Sequence, residues 1–317
     1  MEEVDFWKNF NMGIELNIAG AFIYDGLLAF DEMETFYHEY EVFDFLYNIA
    51  VGLERLEKIA ITLIEHYSSI NQDEFEKSLI THNHIDLFKR IEQKRKIDVG
   101  STHYKFLTLL TSFYKSMRYD RYSLKEVRNY DKEKRALINY IFDEELKIPY
   151  SEEMFQITTN EDKIKKFIGK VIGKISNQLY DIICEECSRL NIYTYELEYD
   201  SKAAKIFLSK KYNFLDERDL VKELLIYLVN AENESPNMEI IKNIKPLDFD
   251  QALTKDYIQC FLNKLKCQEV IDEAESLYQD VENKTERIEL LNLITTDILT
   301  PDDLDYEDGN NEDGSIE

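Results

Sequence analysis

The most restrictive feature of this sequence is a stretch from about residue 34 to residue 67 in which apolar residues recur every three or four positions. These residues are Phe43, Leu46, Tyr47, Ala50, Leu53, Leu56, Ile59, Ala60 and Leu63. Because an α-helix turns once in 3.6 residues, this spacing places them on one helix face. That face must be buried, so the stretch predicts a long helix packed among other helices.

Similar spacing continues through the first half of the chain, with short breaks between the segments. It predicts further helices over about 81–91, 102–117 and 123–149. The last of these opens with Ser123-Leu-Lys-Glu126, which has the spacing of a capping box. Short breaks favour antiparallel neighbours, so we predict a helical bundle over residues 1–148.

The second half repeats the helical pattern without a fixed repeat length, and we predict a second helical region over residues 149–299. The run Ile192-Tyr-Thr-Tyr-Glu-Leu-Glu-Tyr199 is rich in strand formers and is followed by a turn signal at Asp200. It predicts one small β-hairpin near 192–208 in an otherwise mainly α fold. Residues 301–317 hold eight acidic and no basic side chains, so residues 300–317 are predicted to form a disordered acidic tail.

Signals for targeting or membrane insertion are weak. The N-terminus reads Met-Glu-Glu-Val-Asp, which has the wrong charge for the start of a secretory signal. No run of 18 apolar residues lacks a charge, and four cysteines in 317 residues do not form a disulfide framework. These features predict a cytoplasmic protein with no membrane partner.

Charge is distributed very unevenly along the chain. The net charge is −26, yet residues 77–135 hold 15 basic and 7 acidic side chains. This basic segment lies between acidic ones, and its local charge favours contact with phosphate at short range. Two alternatives are a solvated helix face and an internal partner for the acidic segments.

Motifs for metal binding or for familiar hydrolytic chemistry are incomplete. Cys184-Glu-Glu-Cys187 has the spacing of half a zinc site, but six residues separate Cys260 from Cys267, and the first pair falls within a predicted helix. Core cysteines are the better interpretation, and we predict neither a metal nor a cofactor. His-Glu-x-x-His, Gly-x-Ser-x-Gly, Walker and Gly-x-Gly-x-x-Gly motifs are all absent from the sequence.

His82 and His84 form the only histidine cluster, within Thr81-His-Asn-His-Ile-Asp86. Two residues at i and i+2 point to different faces of a helix, so they make a poor metal pair there. The favoured interpretation is a helix-entry loop with one packed and one exposed histidine. Both are retained as candidate ligand-binding residues.

The segment from Phe113 to Ser123 concentrates arginine and tyrosine at a predicted helix end. Within it, Arg118, Tyr119, Asp120 and Arg121 are consecutive. Arginine offers a planar fork for phosphate, and tyrosine offers a face on which a base can stack. These four residues are therefore candidates for binding RNA or a protein partner. The alternative is an Arg-Asp-Tyr network that tethers two helices.

Three segments resemble the HEPN superfamily: Gly52-Leu-Glu-Arg-Leu-Glu-Lys58, Thr81-His-Asn-His-Ile-Asp-Leu87 and Tyr114-Lys-Ser-Met-Arg-Tyr-Asp120. The resemblance covers roughly residues 35–145. It implies a small helical bundle, often dimeric, from a superfamily with many members in toxin–antitoxin, abortive-infection and other anti-phage systems. Many of those members cleave RNA.

One departure from the superfamily bears on activity. Its nuclease signature is an arginine followed after four to six residues by a histidine, and none of the five histidines here has an arginine at that distance. Without that histidine, metal-independent RNA cleavage lacks its proton carrier. The resemblance therefore implies a member that binds rather than cleaves.

Three functional hypotheses follow. The first is a non-catalytic HEPN-like protein of a bacterial defence or regulatory system, which binds RNA or a protein partner through the basic segment. The second is an acidic interaction or scaffold protein with a basic partner. The third is a metal-independent ribonuclease with an unorthodox site around Arg118, Tyr119 and Arg121.

Overall fold

The computed structural model describes residues 3–67, 69–129, 131–147, 158–231, 235–262, 264 and 267–294. Helices dominate these residues, so the predicted mainly α fold is confirmed. The chain separates into two compact units, Met1–Leu215 and Asp216–Glu317, called the first unit and the second unit below. The predicted acidic tail at 300–317 lies outside the described residues.

The first unit contains ten α-helices among its described residues, and three π-helical segments interrupt or extend them. The helices are α1 (Glu3–Phe6), α2 (Met12–Glu32), α3 (Glu39–Glu65), α4 (Gln72–Ser78), α5 (His84–Glu92), α6 (Ser101–Ser112), α7 (Arg118–Asp120), α8 (Lys132–Ile138), α9 (Asp162–Leu190) and α10 (Lys202–Phe207). The π-helical segments are Trp7–Asn11, Phe113–Met117 and Asn139–Leu146.

The core of the first unit is built around α3, the helix that the apolar spacing predicts. Its apolar face is fully buried at Phe45, Leu46, Ile49, Leu53 and Leu56. The partners of α3 include α2, α5, α8 and α9. The Glu3–Glu32 run is long and apolar enough, by length and composition alone, to cross a membrane. In the structure, the α2 part of that run packs against α3 and α10.

The first unit continues beyond residue 148, where the sequence placed a domain boundary. Helix α9 packs against α3 and α6, and α10 packs against α2. A Cβ on Gly20 would lie 2.5 Å from the Cβ of Ala203, so a glycine is what allows α2 and α10 to approach closely. These contacts join residues 158–215 to the core formed by the preceding helices.

The predicted β-hairpin at 192–208 is wrong, since the described residues there form turns followed by α10. Ser201 begins that helix, because its Oγ accepts a hydrogen bond from the Ala204 N–H at 3.0 Å. The strand-forming run is held instead by the N-terminal segment. The Tyr193 N–H donates to Asn9 Oδ1 at 2.6 Å, and the Thr194 hydroxyl donates to the Lys8 carbonyl at 2.8 Å.

The predicted capping box at Ser123 is also not formed. Ser123 precedes a single 3₁₀ turn, Leu124–Glu126, and its side chain makes no cap hydrogen bond. Glu126 is bound instead by Lys132, whose Nζ lies 3.1 Å from the Glu126 carboxylate. The next α-helix therefore begins at Lys132, not at Ser123.

The second unit is also helical, and little of it is buried. Its helices are α11 (Leu215–Asn230), α12 (Pro236–Asn243), α13 (Thr254–Leu262), α14 (Gln268–Gln279) and α15 (Lys284–Leu293). Cys260 is the only buried residue among the described residues of this unit.

Candidate functional site

Two histidine–glutamate pairs join α3 to the segment that enters α5. Glu54 and Glu57 lie one turn apart on α3, so both point to the same side of that helix. The Nδ1 of His82 lies 2.9 Å from Glu54 Oε2, and the Nδ1 of His84 lies 3.0 Å from Glu57 Oε2. The two pairs have the same chemistry and differ in their access to solvent.

The inner pair, His84 and Glu57, is completely buried. Burial raises the pKa of the Glu57 carboxyl above its ordinary value, and the neighbouring His84 opposes that effect. In the part of the chain that the structure describes, neither Glu57 Oε1 nor His84 Nε2 has a hydrogen-bond partner. Because no ligand can reach them, these residues belong to the core, and His84 is the packed histidine that the sequence anticipates.

The outer pair is accessible. The His82 side chain is 47% exposed, while the side chain of Glu54 is largely buried. Glu54 also accepts a hydrogen bond from Lys58 Nζ at 2.7 Å. Among the described residues, none bonds to His82 Nε2. The glutamate therefore orients the imidazole and leaves its second nitrogen available to a ligand.

A cavity of about 440 Å³ lies beside the outer pair. Its walls mix apolar and charged side chains from Trp7, Met12, Glu15, Val51, Glu54, Arg55, Lys58, Ile59, Thr62, Leu79, His82 and Tyr114. Two of the aromatic walls come from π-helical segments, Trp7–Asn11 and Phe113–Met117. Such segments are rare and occur frequently at functional sites, which makes this side of the first unit the best candidate site.

A stack of aromatic and guanidinium groups extends from this cavity. The ring of His82 contacts Tyr114, with centroids 4.5 Å apart. The Arg118 guanidinium carbon lies 3.8 Å from the Tyr114 ring centroid and 4.6 Å from that of Tyr119. Tyr114, Arg118 and Tyr119 are called the Arg118 stack below.

Arg118 differs from Arg121 because it makes no ion pair with a described carboxylate. Its Nε is buried and has no hydrogen-bond partner among the described residues, and its guanidinium carbon contacts the rings of two tyrosines. A guanidinium held in this way, with no described carboxylate against it, keeps its charge and its N–H groups available for an anion.

Arg121 and Asp120 have a different role from Arg118. Arg121 forms an ion pair with Glu133 of α8, whose side chain is only 2% exposed. Asp120 accepts a hydrogen bond from Lys132 Nζ at 2.8 Å. These two residues tether α7 to α8, as the alternative interpretation of the segment proposed. The six predicted site residues thus fall into four places. His82 lines the cavity, and Arg118 and Tyr119 belong to the Arg118 stack that extends from it. Asp120 and Arg121 form the tether, and His84 lies in the core.

The basic segment 77–135 is partly neutralised inside the fold. Seven of its basic side chains form ion pairs with described carboxylates: Arg90, Arg95, Lys105, Arg121, Lys132, Lys134 and Arg135. Seven others are exposed and make no ion pair with a described residue: Lys77, Lys89, Lys94, Lys96, Lys115, Lys125 and Arg128. Three of these exposed residues, Lys115, Lys125 and Arg128, lie within ten positions of Arg118 in the sequence.

Glu54, Lys58 and Tyr114 belong to the site but were not among the predicted site residues. All three lie within the segments that resemble the HEPN superfamily, and those segments meet at this site. The sequence does contain a pattern that could have indicated the two pairs. Glu54 and Glu57 are three residues apart on one predicted helix, and His82 and His84 are two residues apart at the start of the next predicted helix.

The cysteines show no sign of reactive or metal-binding chemistry. Cys184 and Cys187 lie within α9, where burial raises the pKa of the Cys184 thiol to about 11. Across the described residues, no three His, Cys, Asp or Glu side chains are arranged to hold a metal ion.

Comparison with known proteins gives no relative for this chain: no family model, no curated protein and no solved structure matches it.

Proposed function

We propose that this protein is a HEPN-like helical protein of a bacterial defence or regulatory system, and that it binds single-stranded RNA at the Arg118 stack. The observation that carries the proposal is the state of Arg118. Its guanidinium carbon lies against the rings of two tyrosines and is not neutralised by a described carboxylate. Other basic side chains of the same segment are also unpaired, but among the described residues of that segment Arg118 is the unpaired one that lies against aromatic rings.

The surface around Arg118 offers what a single strand of RNA requires. Tyr119 is 59% exposed and Tyr122 is 89% exposed, so both present aromatic faces on which a base can stack. Lys115, Lys125 and Arg128 are exposed and supply positive charge for the phosphates. A base in a duplex cannot stack on a tyrosine, so this combination favours unpaired RNA.

Two further observations support the HEPN-like part of the proposal. The chain is mainly helical over the residues of the resemblance, and the three segments that carry it converge on one cavity. The missing arginine–histidine spacing supports a binding role over a catalytic one.

The proposal is tested by the affinity of the full chain for a labelled single-stranded RNA of about 12 nucleotides, measured by fluorescence anisotropy at low and moderate salt. We expect Arg118→Ala to weaken binding about tenfold, because one stacked cation is lost. Arg135→Ala is the matched control. It removes the same charge from the same segment, but Arg135 pairs with Asp131.

The proposal is wrong if the wild-type chain does not bind RNA at low salt. It is also wrong if the two variants lose affinity equally, because net charge would then explain the whole effect. In either case a protein partner becomes the better explanation of the exposed tyrosines.

A second candidate function is metal-independent RNA cleavage, and the outer histidine–glutamate pair favours it. Glu54 holds His82 Nδ1, so His82 Nε2 can accept the proton of a ribose 2′-hydroxyl. The 2′-oxygen would attack the adjacent phosphorus, and the 5′-oxygen would leave with a proton from water. The products are a 2′,3′-cyclic phosphate and a 5′-hydroxyl.

Cleavage is distinguished from binding by incubating RNA with the protein in EDTA and identifying the ends produced. Turnover that is lost in His82→Gln but kept in His38→Gln, a variant of a histidine outside the cavity wall, would establish the second function. Binding without any cleaved product leaves the first function alone.

A further inference from the structure

The second unit has helices but almost no core among its described residues. Cys260 is its only buried residue there, whereas the first unit buries an extensive apolar cluster. Helical units of this size are stabilised mainly by the apolar surface they bury, so these helices lack their principal source of stability.

Helix α11 shows this most clearly, because none of its residues is buried. Residues 224–229 read Leu-Leu-Ile-Tyr-Leu-Val, and six consecutive residues at 100° each surround the whole helix. Leu224 is 50% exposed, Ile226 is 56% exposed and Val229 is 75% exposed. A helical run that is apolar on every side is normally buried, so residues 224–229 of α11 are expected to be covered by another molecule.

The charge of the second unit indicates the chemistry of that molecule. Residues 216–317 contain 27 acidic and 9 basic side chains, so two copies brought together here would repel each other. A partner with positive charge would be attracted instead. We propose that α11 is the docking site for a basic amphipathic helix of a partner protein.

The binding mode follows from the shape of the surface. A helix can lay an apolar face along α11 while its lysines or arginines face the acidic side chains around it. Asp216, Asp219 and Glu223 lie in the N-terminal half of α11 and supply such charges beside the apolar run. This proposal concerns the second unit alone and does not depend on RNA binding by the first unit.

The test uses the full chain and a synthetic amphipathic helix of leucine and lysine, with binding followed by fluorescence anisotropy. A peptide of the same composition in scrambled order controls for charge alone, and a leucine–glutamate helix controls for apolar surface alone. We expect the leucine–lysine helix to bind best and to slow amide exchange in α11.

Leu224→Gln combined with Leu228→Gln should weaken that binding about tenfold or more, because two leucines lose their apolar contacts. Leu253→Gln is the matched control. It changes an exposed leucine of the same unit that lies outside α11, and it should leave the affinity unchanged.

Three results would overturn the proposal. The first is equal binding of the scrambled peptide, which would reduce the effect to charge. The second is failure of the α11 site itself: either Leu253→Gln loses as much affinity for the leucine–lysine helix as the double variant does, or the wild-type chain does not bind that helix. The third is a wild-type dimer that dissociates when Leu224 and Leu228 are replaced, because the occupant of α11 would then be a second copy of this chain.

Discussion

Glu54 and Glu57 are the same residue type one helical turn apart, and each contacts a histidine at about 3 Å. Their surroundings give them different properties. Glu57 and His84 are enclosed by the core, where a charged carboxylate is poorly solvated. Glu54 and His82 border a cavity and solvent. At the scale of residues, access to solvent therefore separates a structural pair from a candidate functional pair.

The buried carboxyl gives a prediction about pH. Since the native pKa of Glu57 is raised above its ordinary value of 4.5, the unfolded chain releases a proton that the native chain keeps. The contribution of the protonated Glu57 carboxyl to the free energy of unfolding is fully present below about pH 4.5. It is lost as the pH rises towards the native pKa of Glu57. Relative to Glu57→Gln, the wild-type free energy of unfolding should fall by up to about 1.4 kcal/mol per pH unit in this window.

Urea unfolding at several pH values checks this, with the fluorescence of Trp7, the single tryptophan, as the signal of the first unit. The exposed Glu76→Gln variant is the control and should show no such trend. If the free energies of unfolding of wild type and Glu57→Gln differed by the same amount at every pH, the raised pKa of Glu57 would be contradicted.

The two arginines of the 118–121 segment should separate stability from binding. Arg121→Ala leaves the buried Glu133 carboxylate without its partner and should destabilise the first unit by about 2 kcal/mol. Arg118→Ala should change the free energy of unfolding by less than about 1 kcal/mol, because only a partly exposed cation–π contact is lost. Urea unfolding followed by Trp7 fluorescence measures both losses of stability. A larger loss in Arg118→Ala than in Arg121→Ala would contradict the role of Arg121 in joining α7 to α8.

At the scale of elements, the spacing of apolar residues predicted the helices correctly where a long helix buries one face. α3 and α9 have such faces, and their apolar stripes were visible in the sequence. The predictions at Ser123 and at 192–208 were wrong, and in both places the structure has specific side-chain contacts in place of the predicted pattern. Lys132 binds Glu126, and Asn9 binds the Tyr193 backbone, 184 residues away. Such contacts leave no periodic signal.

The close packing of α9 against the segment that contains Tyr212 can be tested by substituting Gly169. A Cβ at Gly169 would lie 2.2 Å from the Tyr212 carbonyl oxygen, so Gly169→Ala should destabilise the first unit by about 1–3 kcal/mol. Gly13→Ala is the matched control. Its nearest atom would be 3.6 Å away, so helix propensity should make it neutral or stabilising by up to about 1 kcal/mol. Thermal unfolding of Gly169→Ala and Gly13→Ala measures the difference. Equal stabilities of the two variants would contradict the close packing of Gly169 against the Tyr212 carbonyl.

At the scale of the whole molecule, the two units should differ greatly in stability. The core of the first unit protects α3, whereas α11 has no buried residue. Hydrogen exchange of the isolated chain should therefore be much faster in α11 than in α3, because protection follows burial. Equal protection of these two helices would mean that α11 is covered in the free protein.

The site was only partly predictable from the sequence. Arg118, Tyr119 and His82 were identified because their chemistry is concentrated in short segments. Glu54 and Tyr114 were not, because their importance depends on α3 and the Phe113–Met117 segment converging on one cavity. The basic segment was evident as charge, but only the fold shows which of its side chains are neutralised.

The most direct test of the central claim is the RNA affinity of Arg118→Lys compared with wild type at one salt concentration. The lysine keeps the charge but loses the planar group that contacts Tyr114 and Tyr119. If the stack binds RNA, we predict a loss of about fivefold or more with little change in salt dependence. An unchanged affinity would show that charge alone attracts RNA and would contradict the role proposed for the Arg118 stack.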